Sequence, residues 1–155
     1  MKISLWVIGK TDQKYLEEGM AIFLKRLPHY CRFEYIEIPE ARGYKNPLEK
    51  KKLEALTIQK KLKSGDKLIL MDETGTHFSS IKFAEYLGRQ MQITSKKLIF
   101  LVGSAYGFDR SLYDIASDSI ALSKLTFTHQ MIRLFFLEQL YRAFTILNNE
   151  PYHNN

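Results

Sequence analysis

The stretch Gly103-Ser104-Ala105-Tyr106-Gly107-Phe108-Asp109 follows the apolar run 98–102, and it is the first place in the chain whose residue types suggest chemistry. Two glycines in five residues permit tight turns and let a ligand approach the backbone. In a parallel sheet, ligands bind beyond the carboxyl ends of strands. Met71-Asp72-Glu73-Thr74-Gly75 and residues 123–128 follow other apolar runs in the same way, so the three turns can line one crevice. A glycine turn alone serves structure as readily as binding. The sequence has no G-x-G-x-x-G after a strand, no P-loop, no H-E-x-x-H and no EF-hand loop, which removes strong support for dinucleotide, nucleoside triphosphate, zincin and calcium readings. Cys31 is the single cysteine, which excludes an internal disulfide and a cysteine metal cluster and suits a reducing cytoplasm. With no Cys-His signature around it, it reads as a strand-edge residue. His129 reads as a structural neighbour of the third turn, with proton transfer the lesser reading, and His29 and His77 read as surface residues.

Those turns need a sheet to hold them. Residues 2–8 read as a buried strand; the N-terminal run is charged at both ends and lacks a long apolar region or a cleavage site, so it is not read as a signal peptide. Asp12 is expected to cap a helix running to residue 27, with Leu16, Met20, Phe23 and Leu27 on one face. Residues 32–38 alternate as a second strand. Pro47 opens a helix to residue 63 that carries Leu48, Leu53, Leu56 and Leu62, and residues 67–72 form a third strand. Ser79 caps a helix through residue 91, 97–102 is a doubly covered strand, Asp109 caps a short helix to 116, and 118–122 is a fifth strand. A last helix covers 129–147 and a polar tail closes the chain. Five strands alternating with five helices imply one domain, an α/β sandwich with a mainly parallel sheet.

The last helix is unusually apolar. Glu138, Arg142, Thr145 and Asn149 form a narrow polar stripe, and most of the remaining surface is Met, Ile, Leu, Phe, Tyr or Ala. Burial on two sides would explain this, either inside the chain or in a self-complementary dimer. Arg133 falls within the apolar arc, so it is expected to pair with an acid or to reach into a site.

The chain has 155 residues and a formal net charge of +6. Residues 1–63 hold 14 basic and 8 acidic residues and residues 64–155 hold 9 of each, so the whole excess lies in the first two fifths. Arg42, Lys45, Lys50, Lys51, Lys52, Lys60, Lys61 and Lys63 supply much of it. Such a concentration fits a polyanion, because each lysine placed on a phosphate releases counterions, although a solvated lysine-rich helix has the same appearance. No apolar run approaches the roughly 20 residues that span a bilayer.

Several segments together resemble the RlmH-type large-subunit rRNA pseudouridine methyltransferases of the SPOUT superfamily: Leu101 to Gly107, Leu122-Ser123-Lys124-Leu125-Thr126-Phe127-Thr128-His129, Glu138 to Ala143 and Pro151-Tyr152-His153. The likeness covers the whole chain, including Val7-Ile8-Gly9-Lys10 and Ile36-Glu37-Ile38-Pro39. Thr128 stands where the family usually has proline. The resemblance implies an α/β fold with a deep C-terminal trefoil knot, which periodicity does not show, and a homodimer. It implies S-adenosyl-L-methionine as methyl donor, with no metal, and N3 of a pseudouridine in the 23S rRNA of the assembled ribosome as acceptor. By motif position the donor contacts Met71, Gly103, Leu122, Ser123, Lys124, Leu125, Thr126 and Phe127.

The acceptor nitrogen must lose a weakly acidic proton. Arg142 is expected to steady the developing negative charge, and Tyr152 and His153 to orient the base or take its proton, with the tail crossing to the partner's donor site. Arg142 can instead form only an i, i+4 pair with Glu138, and the tail can be a frayed end. Two other functions fit the same sequence: a non-catalytic ribosome-binding or assembly factor, and the same chemistry on another RNA such as transfer RNA.

Overall fold

Alternating apolar and polar positions, interrupted by glycine, proline and capping residues, resolve into five strands and five α-helices among the described residues. A computed structural model describes residues 2–94 and 96–154; Met1 and Asn155, the outermost residues of the N-terminal run and of the polar tail, lie outside them. The strands are β1 (Lys2–Ile8), β2 (Arg32–Ile38), β3 (Lys67–His77), β4 (Lys97–Val102) and β5 (Asp118–Ala121). They form one sheet in the order β2-β1-β4-β3-β5, and every pairing is parallel. Leu5 pairs with Tyr35 on one side and Phe100 on the other, so β1 is interior although it comes first in the chain.

The helices are α1 (Lys14–Arg26), α2 (Pro47–Lys61), α3 (Ser80–Ile93), α4 (Arg110–Ile115) and α5 (Met131–Leu147). Alternation along β1 divides the core. Ile3, Leu5 and Val7 join Phe100 under α1, α3 and α5, while Trp6 and Ile8 join Leu70, Leu101 and Ile58 under α2 and α4. Three caps act as their residue types require. Asn46 and Ser79 accept from the N–H groups of Glu49 and Lys82, and Asp109 accepts from that of Ser111.

Several boundaries depart from expectation. Gln13, not Asp12, occupies the cap position of α1 and makes no side-chain cap bond; the Asp12 N–H instead donates to Gln130 Oε1 at 3.1 Å. The α1 helix ends at Arg26 in a 3-10 turn, Leu27–His29, because Pro28 cannot continue it. The α2 helix stops at Lys61 and buries Ala55 and Ile58, leaving Leu48 and Leu56 exposed. The α3 helix continues to Ile93, and β5 stops at Ala121. The α5 helix begins at Met131, two residues after His129. Thr145, expected on the polar stripe of that helix, is fully buried and satisfies its hydroxyl on the Arg142 carbonyl. In the single chain α5 packs beside α1 and α3 and leaves Phe135 and Leu147 exposed.

The largest departure is in β3, which runs on past Asp72 to His77. Met71 pairs with Ile120, the register then slips, and Thr76 pairs with Ile120 again. Residues 72–75 therefore bulge out of the ladder, and a bulge beside a strand end re-aims side chains. Gly75 makes the bulge possible: a Cβ there would lie 2.6 Å from the Ile120 nitrogen and the Ser119 carbonyl carbon.

Candidate functional site

The bulge within β3 and the carboxyl ends of β4 and β5 surround a cavity of about 360 Å³. Its walls are Met71 and, in the β3 bulge, Asp72, Glu73 and Thr74; the last residue of β4 and the turn after it, residues 102–108; and Ile120 to Ser123 with Leu125, Phe127, His129 and Ile132. The three turns singled out in the sequence thus meet in one place. Of the residues expected to hold a donor, Met71, Gly103, Leu122, Ser123, Leu125 and Phe127 line the cavity. Lys124 and Thr126 are exposed and are not part of its wall.

The two glycines of the β4 turn have different reasons. A Cβ on Gly103 would meet the Phe108 ring at 2.9 Å, so that position needs space. Gly107 has φ +80°, which only glycine adopts freely, and its N–H donates to the Ser104 carbonyl at 3.1 Å. Beneath the turn the Ser104 hydroxyl donates to Glu54 Oε2 at 3.1 Å. Glu54 is buried, and burial pushes its carboxyl above the usual range against the opposing pull of Ser104 and Lys50.

Lys50 corrects the charge reading. It is not a solvated lysine: it is 6% exposed, with its ammonium 3.4 Å from Glu40 and 3.7 Å from Glu54. Arg42, Lys45 and Lys52 are exposed, so a polyanion-binding face would lie with them. The i, i+4 spacing of Lys50 and Glu54 in the sequence was the only sign of the pair, and it does not distinguish a surface pair from a buried one.

On the β3 side, Asp72 Oδ2 accepts from the Thr74 hydroxyl at 2.5 Å and from the Tyr113 hydroxyl at 2.8 Å. Burial, then the Asp72 carboxylate, pushes the Tyr113 phenol up to about 12, so it stays a donor. Asp72 and Glu73, with Tyr106, lie in turns expected to line the crevice but were not expected as donor contacts; His129 is there as the expected neighbour of the third turn, and Ile132 is the cavity residue that sequence reasoning did not single out. The bulge that presents the first two has no pattern in the sequence beyond Gly75.

Arg133 neither pairs with an acid nor enters the cavity. It is 0% exposed, and its guanidinium donates to the carbonyls of Ile8 (2.8 Å), Gly9 (2.9 Å) and His129 (3.1 Å) and to the Thr11 hydroxyl (3.2 Å). It therefore ties the end of β1 to the segment that closes the cavity. Just before it, the Thr128 hydroxyl accepts from the Met131 N–H at 3.0 Å, so a side-chain hydrogen bond to the first residue of α5 stands where the family resemblance leads one to expect proline.

His129 is half-buried, and burial followed by the nearby Arg133 charge lowers its imidazole below the ordinary value. A depressed folded-state value means the folded chain favours the neutral ring. The resulting stability is present above the unfolded value of about 6.5 and is lost as pH falls through the folded value. The melting temperature should therefore drop on acidification below about pH 6.5, and His129→Gln should flatten that part of the curve in thermal unfolding. A wild-type slope retained by the variant would assign it to another group.

Arg142, Tyr152 and His153 lie together, outside the walls of the cavity of their own chain. Arg142 donates to Glu138 Oε1 from Nε (3.1 Å) and from its terminal nitrogen (2.5 Å), and its other terminal nitrogen is 3.2 Å from His153 Nδ1. The Tyr152 hydroxyl donates to the same Glu138 oxygen at 3.0 Å, and its ring packs edge-on against Tyr141 at 4.8 Å. Upstream of it Glu150 accepts from the Tyr30 hydroxyl at 2.7 Å. The tail is thus folded back on α5, not frayed. Burial and the Glu138 carboxylate raise the Tyr152 phenol above its usual value. Cys31 is far from reactive: burial pushes its thiol up to about 11. Among the described residues no cluster of His, Cys, Asp and Glu is arranged to hold a metal, and no helix is long and apolar enough to cross a membrane.

Residues 1–153 match the family described as "Predicted SPOUT methyltransferase". Similar proteins include the ribosomal RNA large subunit methyltransferase H of Cytophaga hutchinsonii, 51% identical over 99% of this chain and 100% of that protein. The proteins of the same description from Parabacteroides distasonis and Christiangramia forsetii are 51% and 49% identical, each match covering 99% of both chains.

Proposed function

Because the chain belongs to the SPOUT methyltransferase family, we propose that it carries a methyl group from S-adenosyl-L-methionine to N3 of a pseudouridine in the 23S rRNA of the assembled ribosome, as a cytoplasmic homodimer. The convergence of the β3 bulge and the turns after β4 and β5 on one cavity carries this reading. The cavity volume is within the roughly 300–1,000 Å³ common for small-molecule sites. Leu122, Leu125, Phe127 and Ile132 suit a flat, partly apolar adenine, backbone groups of the turns can bond its edge, and Asp72 and Glu73 suit the cationic part of the donor. The residues present therefore fit the donor.

When bound, S-adenosyl-L-methionine supplies a methyl group activated by its sulfonium. The chain's own work is to align the acceptor, exclude water and manage one proton. Arg142 places a guanidinium where the deprotonated imide develops negative charge. Tyr152, kept protonated by burial and Glu138, donates a hydrogen bond that orients the base, which leaves His153 to take the proton. Since this cluster is not on the cavity wall of its own chain, a second copy docked through the exposed edge of α5, where Phe135 and Leu147 lie, would bring it there. The trefoil knot belongs to the same reading.

The test is methyl transfer to purified ribosomes with labelled donor, followed by mass spectrometry of the 23S rRNA. Arg142→Gln and removal of residues 151–155 should each lower turnover about 100-fold while calorimetry shows unchanged donor binding. Undiminished turnover would remove the tail cluster from the mechanism. No transfer by the wild type, with no donor binding, would overturn the function itself.

A further inference from the structure

Two tyrosines stand over the buried Lys50. Its ammonium lies 5.4 Å from the centre of the Tyr44 ring and 5.3 Å from that of Tyr106. The rings come from different places, Tyr44 from the loop before α2 and Tyr106 from the glycine turn after β4, and both pack against the same cation. Lys50 is itself held by Glu40 and Glu54, so its position does not depend on a ligand. Yet Tyr44 is 40% exposed and Tyr106 is 51% exposed, and Tyr106 also forms part of the cavity wall. Two large aromatic rings are thus fixed on a buried charge at the edge of the cavity, with much of their surface in water. The Tyr44 loop adds exposed cations on either side, Arg42 and Lys45.

Fixed aromatic rings beside exposed cations match the chemistry of single-stranded nucleic acid. Unstacked bases lie on aromatic faces while cations follow the phosphates. We propose that Tyr44 and Tyr106 form a stacking platform for unpaired bases that neighbour the methyl-accepting nucleotide, with Arg42 and Lys45 on the adjoining phosphates. This rests on the RNA methyltransferase reading. Lys50 touches no RNA in this arrangement; it is a positioning residue that sets the two rings. The platform explains why the loop before α2 carries an exposed aromatic residue between two cations, which ribosome attraction by charge alone does not require.

The test uses Tyr44, because Tyr106 also borders the donor cavity and its loss would affect both ligands. Binding of the full-length protein to purified ribosomes, and to the excised 23S rRNA stem-loop, is measured at several salt concentrations. Tyr44→Ala should weaken RNA binding about tenfold, Tyr44→Phe should stay within about twofold of wild type, and the dependence of log affinity on log salt should keep its slope in both. Arg42→Ala and Lys45→Ala should instead each reduce that slope by about one. Donor binding by calorimetry should not change in Tyr44→Ala, and the melting temperature should fall by no more than about 4 °C, the share of one partly exposed cation–π contact. Equal RNA affinity in Tyr44→Ala, a loss as large in Tyr44→Phe, or a loss accompanied by a shallower salt slope would each overturn the platform. If the wild type methylates ribosomal RNA while Tyr44→Ala binds RNA normally, only the platform fails; if the wild type neither methylates nor binds RNA, the parent reading fails first.

Discussion

Arg133→Met should lower the unfolding free energy by about 4 kcal/mol and the melting temperature by roughly 8–16 °C. The guanidinium is fully buried, and four acceptors, the carbonyls of Ile8, Gly9 and His129 and the Thr11 hydroxyl, lose a donor when it goes. Each buried polar group left without a partner costs about 1–3 kcal/mol, and relaxation around a methionine recovers part of the sum. The case differs from a buried ion pair, whose replacement by apolar residues is often neutral, because backbone carbonyls cannot be replaced along with the arginine. Arg133→Lys should recover less than half of the loss, since one ammonium cannot reach groups held by three separate nitrogens in a planar fork. Chemical denaturation of both variants is the measurement. A loss under about 1 kcal/mol in Arg133→Met would show that water or rearrangement satisfies the carbonyls.

Gly75→Ala should cost about 3 kcal/mol and abolish tight donor binding. Its Cβ would fall 2.6 Å from two backbone atoms of β5, and backbone cannot swing aside as a side chain can. Relief requires β5 to move away from the bulge or the bulge to unfold. Either change shifts Met71 to Thr74 relative to Ile120 to Ser123, which face the same cavity. Gly43→Ala is the matched control, because nothing lies within 4 Å of a Cβ there and the position is not part of the cavity wall, although its φ of +73° brings modest strain. Calorimetry with S-adenosyl-L-methionine and thermal unfolding should separate the two variants. Donor affinity preserved in Gly75→Ala would mean that the bulge does not shape the site.

Most of the sheet could be read in advance because its signals are local. The continuous apolar run 97–102, the alternation at 32–38 and the caps Ser79 and Asp109 each depend on a few neighbouring residues, and each has its expected place. The three turns could be read for the same reason, through the general rule that ligands lie beyond strand ends. What escaped depends on partners distant in sequence. Asp12 has the right chemistry for a cap, but Gln130 occupies its N–H from 118 residues away. Lys50 resembles its solvated neighbours until Tyr106 and Ser104 of a distant turn close over its side of α2. The extension of β3 to His77 follows from a second pairing with β5 around Gly75, and no periodicity marks such a slip. The roles proposed for Arg142, Tyr152 and His153 rest on the family resemblance and the chemistry of the acceptor it implies, since no spacing points to them.

The position of β1 also constrains how the protein can be made. Synthesis delivers this strand first, yet one of its two neighbours, β4, is registered from Lys97 onward, and α1 rests against the final helix. A nascent chain can zip β1 to β2 early but must leave the other edge of β1 open until most of the polypeptide has been translated. Leu5 and Trp6, fully enclosed at the end, are thus exposed to other chains for much of elongation. Folding of the sheet cannot be completed strand by strand from the N-terminus in this topology, and a polypeptide that ends before β4 leaves apolar strand surface of the kind that aggregates.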